Sequence, residues 1–205
     1  MKAATSLLLS ALLAVLAMLL PLRASAVPPQ PSAGTAVVDG HYEEWNLTAD
    51  FFADMYQAGK TDKPLESKLY LRYDCASGTM YALVLVQPGI AGYIDPSAID
   101  AWIAIDAINH KVLNQLVGND GIPPDFAWVG PGFDGTSSHV LGYEASFRIS
   151  HGTHFIIAHI DVLDGGQQTS ATDNGFPHTG PDLVIPDCSP AVEPVTFGAL
   201  KALYR

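Results

Sequence analysis

Cysteines, basic residues and long hydrophobic runs are scarce in this sequence. It has 2 Cys among 205 residues, and 10 Lys and Arg residues stand against 21 Asp and Glu. A formal net charge of -11 argues against nucleic acid or an anionic membrane surface as the partner. Beyond the N-terminus no apolar run has the length that crosses a bilayer, so we expect no membrane insertion of the mature chain.

The N-terminus has the layout of an export signal. Lys2 provides the positive charge, residues 7–20 are an apolar run, and Ala24-Ser25-Ala26 is a small-residue cleavage site. We therefore predict a signal peptide over 1–26, a Pro-rich flexible arm over 27–34 and a domain over 35–205. A transmembrane anchor is the alternative, but it usually needs a longer span. The protein is expected to be secreted into an extracellular or periplasmic space, and its oligomeric state is left open.

In an exported chain the two cysteines, Cys75 and Cys188, are expected to form a disulfide. The bond would tie the Pro-rich C-terminal segment to the body of the domain. A metal site made from two cysteines alone would be unusual.

Helical periodicity is almost absent after the signal, whereas strand signals recur. In residues 67–73, Leu69 and Leu71 face one way while Lys68, Tyr70 and Arg72 face the other. A turn cluster separates this segment from an apolar strand at 80–86, so the pair predicts a hairpin. Further strands are predicted at 101–106, 111–117, 140–149, 153–161 and 195–200.

Segments rich in Gly, Pro and Asp separate these strands. Residues 119–135 and 163–190 are interpreted as loops, and residues 50–59 as strand or one short helical turn. Many short strands separated by Gly and Pro predict an all-β domain, either a two-layer sandwich or a barrel.

Four segments occur in an order typical of one family. They are Val38-Asp39-Gly40 with Trp45; the hairpin Lys68-Leu69-Tyr70-Leu71-Arg72-Tyr73 with Met80-Tyr81-Ala82-Leu83-Val84; Asp100-Ala101-Trp102-Ile103-Ala104-Ile105-Asp106; and Gly142-Tyr143-Glu144-Ala145-Ser146-Phe147-Arg148-Ile149 with His159-Ile160-Asp161-Val162-Leu163-Asp164-Gly165-Gly166. This order resembles the carbohydrate-binding modules of family nine and the related DOMON-like sandwiches. The resemblance spans residues 37–166, and the C-terminal part lies outside it. It implies an antiparallel jelly-roll-like sandwich, often sugar-binding and often stabilised by calcium.

Sugar recognition needs an aromatic face for the apolar side of a pyranose and polar groups for its hydroxyls. The predicted aromatic platform is Trp128, Phe126, Trp102 and Tyr93. The predicted hydroxyl partners are Asp100, Asp106 and Glu144.

Each of these residues also has a structural interpretation. Trp128 could plug its own loop, and Trp102, opposite Ile103 on its strand, could lie on a covered second face. Glu144 could form a cross-strand ion pair beside Arg148. Trp45, which follows a turn, is expected to pack in the core.

Calcium prefers clustered oxygen ligands on bent backbone. Asp161, Asp164 and Asp173 lie among glycines in one region, and Asp39 opens the domain, so these four are the candidate Ca²⁺ ligands. The spacing is not that of an EF-hand, and solvated loop carboxylates are the alternative.

The preferred function is a secreted, non-catalytic module that binds a polysaccharide or cell-surface glycan. The second hypothesis is a calcium-stabilised structural or adhesive protein with no sugar ligand. The third is a polysaccharide-active enzyme, which would need two carboxylates across a cleft. No Gly-x-Ser-x-Gly motif supports a serine hydrolase.

Overall fold

The computed structural model describes residues 30–95, 97–130, 139–172 and 178–188. Thirteen strands and no helix lie in these ranges. The strands are β1 Ser32–Ala33, β2 Phe51–Gln57, β3 Leu65–Asp74, β4 Thr79–Val86, β5 Ala91–Tyr93, β6 Ala101–Ile105, β7 Lys111–Asn114, β8 Asp125–Val129, β9 His139–Val140, β10 Gly142–Arg148, β11 Gly152–Leu163, β12 Gln167–Ala171 and β13 Asp182–Ile185. Within the described ranges, no helix could cross a membrane.

The strands form an antiparallel β-sandwich with one continuous path of hydrogen bonding. The path runs β7-β6-β11-β12-β2-β3-β4-β10-β8. We call β2-β3-β4-β10-β8 the front layer and β7-β6-β11 the back layer, and β12 joins them by pairing with both β11 and β2. Every pairing is antiparallel except that of β1 with β3.

The main core lies between the two layers and follows from the alternation of side chains along each strand. On the front layer, Leu69 lies opposite Val84 and Leu71 opposite Ala82, and all four are fully buried. On the back layer, Ile103 of β6 and the inward residues of β11 complete the same cluster. The predicted hairpin is therefore confirmed, and the strands predicted at 101–106 and 111–117 pair with each other.

Of the two alternatives for residues 50–59, the strand is correct, because they contain β2 and no helical turn. Two other sequence interpretations were wrong. The predicted loop 119–135 contains β8, and the predicted loop 163–190 contains β12 and β13. These strands are only 4 or 5 residues long, too short for the period of two to stand out from flanking Gly and Pro. The predicted signal peptide and the predicted strand at 195–200 lie outside the described residues.

Candidate functional site

A segment that we call the strap, residues 34–50, lies across the outer face of the front layer. Its Trp45 is 6% exposed and packs with Tyr70, Leu83 and Val129. Tyr70 and Leu83 alternate with the inward-facing residues of their strands, so they belong to the outer face. The prediction of a buried Trp45 is confirmed, but it packs on the outside of the sheet and not in the main core.

Glu144 is the buried anchor of the strap. Its carboxylate accepts the Trp45 indole N–H at 2.8 Å and the backbone N–H groups of Gly40 at 2.9 Å and Asp39 at 3.2 Å. Burial raises the pKa of Glu144 to about 7, although these three donors act in the opposite direction. The expected cross-strand ion pair of Glu144 is wrong for the described residues, because these three N–H donors, and no cation, bind its carboxylate.

Arg72 is the second anchor of the strap. Its Nε donates to Asp50 Oδ2 at 2.9 Å, while other N–H groups donate to the carbonyl oxygens of Thr35 and Glu44. Its guanidinium also lies 4.9 Å from the centroid of a Trp45 ring. Burial opposes ionisation of Asp50, but hydrogen bonds, led by that from Arg72, outweigh it and lower the pKa of Asp50.

The strap divides the outer face into two concavities. The larger, which we call the tyrosine groove, has a volume of about 480 Å³. Tyr42 and Leu47 of the strap form one wall, and Tyr70 and Lys68 come from β3. Gln87 and Leu141 contribute from the ends of neighbouring strands. Its size lies within the range of ligand-binding pockets, about 300–1,000 Å³.

The tyrosine groove combines ring faces with polar ends. Tyr70 packs edge-on against Phe51 with ring centroids 6.1 Å apart, and Phe51 itself is 40% exposed beside the groove. Lys68 Nζ lies 5.5 Å from the Phe51 ring centroid, which is within the range of a cation–π contact. Burial, with a smaller contribution from Asp54, raises the pKa of Tyr70. The groove thus brings the ring of Tyr70, which is 6% exposed, and the ammonium group of Lys68 to one concavity.

The second concavity, which we call the polar cleft, lies on the other side of the strap and has a volume of about 380 Å³. Tyr81 of β4 forms part of its lining. Asp74, Asp125 and Arg148 bring two carboxylates and one guanidinium to it.

Trp102 lies in the back layer, on the face turned away from the main core. Its ring stacks on His159 with centroids 4.8 Å apart and an interplanar angle of 11°, and Lys111 Nζ lies 4.5 Å from its centroid. The indole is 7% exposed and borders a small cavity of about 220 Å³. Trp102 lies on the face of its strand opposite Ile103. There His159 and Lys111 cover its ring, as the structural interpretation of a covered second face expects.

The other predicted platform residues are dispersed. Phe126 is buried in the main core against Tyr143, with ring centroids 5.2 Å apart. Trp128 is half-buried and packs edge-on against Phe126 at 5.0 Å. The half-buried Tyr93 lies on β5, paired with His139 of β9. The structure therefore brings Phe126 and Trp128 together but places Trp102 in the other layer.

The predicted hydroxyl partners Asp100 and Asp106 make contacts of their own. Asp100 is fully buried; its Oδ2 accepts the Asp95 N–H at 2.6 Å, and its Oδ1 has no hydrogen-bond partner within the described ranges. Asp106 has a φ of 63° and accepts the Phe155 N–H at 3.1 Å. Its carboxylate also lies 2.9 Å from His154 Nδ1.

The candidate Ca²⁺ ligands do not form a ligand group within the described part of the chain. Asp39 accepts the His41 N–H at 2.9 Å, and Asp161 bonds to His159 at 3.0 Å. Asp164 is exposed at the turn between β11 and β12, and Asp173 lies outside the described residues. Calcium binding at these positions stays a prediction.

The predicted disulfide is present between Cys75 and Cys188, whose Cα atoms are 5.4 Å apart. It joins the turn between β3 and β4 to the segment that follows β13.

Sequence reasoning missed the tyrosine groove. The alternation in β3 does place Lys68 and Tyr70 together on the outward face, and this was the available signal. Which face the strap covers, and therefore which outward residues line a concavity, depends on the contacts of Trp45 and Glu144.

Comparison with solved structures found chains of similar fold. The fold is similar to a solved structure described as a carbohydrate binding module family 9 (CBM9) from Caldicellulosiruptor kristjanssonii in complex with glucose. The TM-score is 0.45 and the sequence identity 13%, over 80% of this chain and 98% of that chain. No protein-family model and no curated protein sequence matches.

Proposed function

We propose that this protein is a secreted, non-catalytic β-sandwich that binds a saccharide in the tyrosine groove. The observation that carries the proposal is the combination, in one concavity of about 480 Å³, of Tyr42 and Tyr70 with Lys68 and Gln87. Aromatic and aliphatic surfaces accept the C–H face of a sugar ring, while ammonium and amide groups bond to its hydroxyls.

The groove is also held in shape before any ligand arrives. Glu144 and Arg72 fix the strap to the sheet, and Tyr42 lies on the strap between the Glu144-bound residues Gly40 and Trp45. A wall that is already ordered costs less conformational entropy on binding than a free loop. Secretion is supported by the export signal in the sequence and by the disulfide, a bond typical of exported proteins.

Binding is proposed in preference to hydrolysis because of the chemistry of the groove. Glycosidases act with a pair of carboxylates across the scissile bond. The described lining instead offers phenol rings, aliphatic side chains, one ammonium and one amide. These groups recognise a sugar without activating water.

The test is calorimetric titration with soluble oligosaccharides of cellulose, xylan and chitin, and pull-down with the insoluble polymers. Tyr42→Ala is expected to weaken binding by about five-fold or more, the equivalent of losing about 1 kcal/mol of ring contact. Tyr56→Ala, which removes a half-buried tyrosine of β2 outside the groove lining, is the matched control and should bind as the wild type does.

Trp128→Ala separates this site from the platform predicted by sequence. If Trp128→Ala abolishes binding while Tyr42→Ala does not, the saccharide site is at Trp128. Absence of binding to every glycan would remove the proposed function.

A further inference from the structure

The polar cleft gathers three charged groups around one phenol. Burial raises the pKa of Tyr81, the carboxylates of Asp74 and Asp125 raise it further, and the guanidinium of Arg148 lowers it. All four residues line the same concavity. The Tyr81 phenol is therefore close enough to both carboxylates and to the guanidinium to be affected by their charges.

The two carboxylates differ in how much of their hydrogen-bonding capacity the protein uses. Asp125 is 3% exposed; its Oδ1 accepts the N–H groups of Asp120 and Gly121, and its Oδ2 lies 3.2 Å from Ser146 Oγ. It acts as the structural acceptor that fixes the loop wall of the cleft.

Asp74 keeps open acceptor positions. Its Oδ1 accepts the Ala76 N–H at 3.0 Å and its Oδ2 accepts the Ser77 hydroxyl at 2.6 Å, and the backbone N–H of Ser77 is a third donor to the carboxylate. An ionised carboxylate offers about four lone-pair positions. Asp74 is half-buried and can therefore accept further donors from the cleft.

Arg148 keeps open donor positions. Its Nη1 donates to the carbonyl oxygen of Ser77, and its side chain is exposed at the edge of the cleft. A guanidinium has five N–H groups, so most of its donors can still be used. Asp74 and Arg148 thus present acceptors and donors to the same concavity.

The cleft carries charges of both signs, and these favour a neutral ligand. A carboxylate or phosphate on Arg148 would meet Asp74 and Asp125, and an ammonium ion on Asp74 would meet Arg148. A hydroxyl group avoids both conflicts, since its oxygen accepts a hydrogen bond while its hydrogen is donated. Two adjacent hydroxyls can accept from Arg148 and donate to Asp74 together.

We propose that the polar cleft is a second saccharide subsite, which binds a vicinal diol of a neutral sugar between Arg148 and Asp74, over the ring of Tyr81. The inference rests on the proposed function for its ligand class, and it adds a site on the opposite side of the strap from the tyrosine groove. The strap residues Val37 and Val38 form the apolar edge of this subsite. A protein with both subsites contacts saccharide on each side of the strap.

The test is an NMR titration of the ¹⁵N-labelled wild-type protein with xylose, glucose, galactose and mannose. Glucuronate and glucosamine serve as the anionic and cationic probes at the same concentrations. The Arg148 Nε–Hε signal and the amides of Thr79 and Tyr81 report the cleft, while the amides of Lys68 and Leu85 report the groove. At least one neutral sugar is expected to shift the cleft signals in a saturable way, and more strongly than either charged probe.

Variants separate the two sites. Arg148→Gln is expected to weaken the cleft titration by about ten-fold, because a charge-assisted hydrogen bond is lost. Asp74→Asn changes the other partner and should also weaken it. Tyr56→Ala, which removes a half-buried tyrosine that lines neither concavity, is the matched control and should leave the cleft titration unchanged.

The outcomes are distinguishable. Cleft shifts that persist in Arg148→Gln, shifts caused by glucuronate or glucosamine alone, or no cleft shifts with any sugar would overturn the second subsite. Saturable shifts of Lys68 and Leu85 without cleft shifts would leave the proposed function standing and remove only this inference. Cleft shifts without groove shifts would remove the groove and retain the subsite.

Discussion

The indole N–H of Trp45 donates a hydrogen bond of 2.8 Å to the carboxylate of Glu144, which lies 99 residues later in the chain. Through this bond a β-strand of the front layer holds a segment that has no regular structure of its own around Trp45. The position of the strap, and of both concavities that it borders, depends on it.

Replacement of Glu144 by Gln should destabilise the protein by about 1–3 kcal/mol at pH 8. The two oxygens of Glu144 accept hydrogen bonds from three N–H donors. Glutamine keeps one acceptor oxygen, but its N–H₂ group would face at least one of these donors and could not accept from it. Urea denaturation of the wild type and Glu144→Gln measures the difference. Glu43→Gln changes an exposed acid of the strap and should have almost no effect; equal stability of all three proteins would contradict the anchoring role.

Replacement of Arg72 by Met should cost about 3 kcal/mol at pH 7, because it leaves the buried Asp50 without its cation. The double variant Arg72→Met/Asp50→Asn should recover part of the loss, since no unpaired charge remains. Chemical denaturation of the wild type, the two single variants and the double variant gives the coupling free energy between Arg72 and Asp50.

The pH dependence of the same cycle has a defined sign. The folded-state pKa of Asp50 is lowered from 3.8, so the stability that its carboxylate contributes is present above that value. It is lost as the pH falls through the lower folded-state pKa. The difference between the wild type and Arg72→Met should therefore shrink only in acid, and a constant difference down to pH 2 would refute the pairing.

Glu66 should make the protein less stable in mild alkali than in mild acid. Its carboxyl is fully buried, and neither oxygen has a hydrogen-bond partner among the residues that the structure describes. Burial, followed by repulsion from Asp164, raises its pKa from 4.5 to about 7. Between pH 4.5 and about 7 the folded protein keeps a proton on Glu66 that the unfolded chain releases. The stability that the protonated Glu66 contributes is therefore complete below pH 4.5 and is lost as the pH rises through about 7.

Glu66→Gln provides the measurement. It should unfold like the wild type at pH 5 and be more stable by about 1–3 kcal/mol at pH 8, because it cannot ionise. Thermal melts at both pH values decide this, with Asp164→Asn as the exposed neighbour that should change stability much less. A wild type that exceeds Glu66→Gln in stability at pH 8 would show that the ionised carboxylate is satisfied.

Loss of the disulfide should reduce stability by roughly 2–4 kcal/mol. Cys75 and Cys188 are separated by 113 residues, so the bond closes a long loop of the unfolded chain. Cys75→Ser/Cys188→Ser should unfold at the same urea concentration as the reduced wild type. Intact mass after alkylation should show no modified thiol before reduction and two after it; two free thiols in the native protein would rule out the bond.

Strand prediction succeeded where alternation was long. The hairpin of β3 and β4 has 10 and 8 residues, enough for inward Leu69 and Leu71 to stand out from outward Lys68 and Tyr70. Strand β2 was ambiguous because adjacent Phe51 and Phe52 obscure the period. Phe51 in fact contacts Tyr70 on the outer face, while Phe52 joins the main core.

Site prediction was weaker because several aromatic and acidic residues have structural partners far away in the chain. Phe126 was predicted to contact sugar and packs on Tyr143. Glu144 was predicted to bind a sugar hydroxyl or to form a cross-strand ion pair, and it instead binds Trp45. No local pattern distinguishes a buried, satisfied carboxylate from a ligand-binding one. The distinction is made by the donors that folding brings to it.

Local periodicity and composition by themselves determined the antiparallel β architecture of this protein, the two faces of its longest hairpin and the pairing of its two cysteines. These properties depend on side-chain alternation and on having only two thiols, both of which can be read along the chain. Tertiary structure alone decided where the strap lies and which outward residues line a concavity. The physical reason is that the contacts responsible, from Trp45 to Glu144 and from Arg72 to Asp50, join segments that become neighbours only when the sheet has formed.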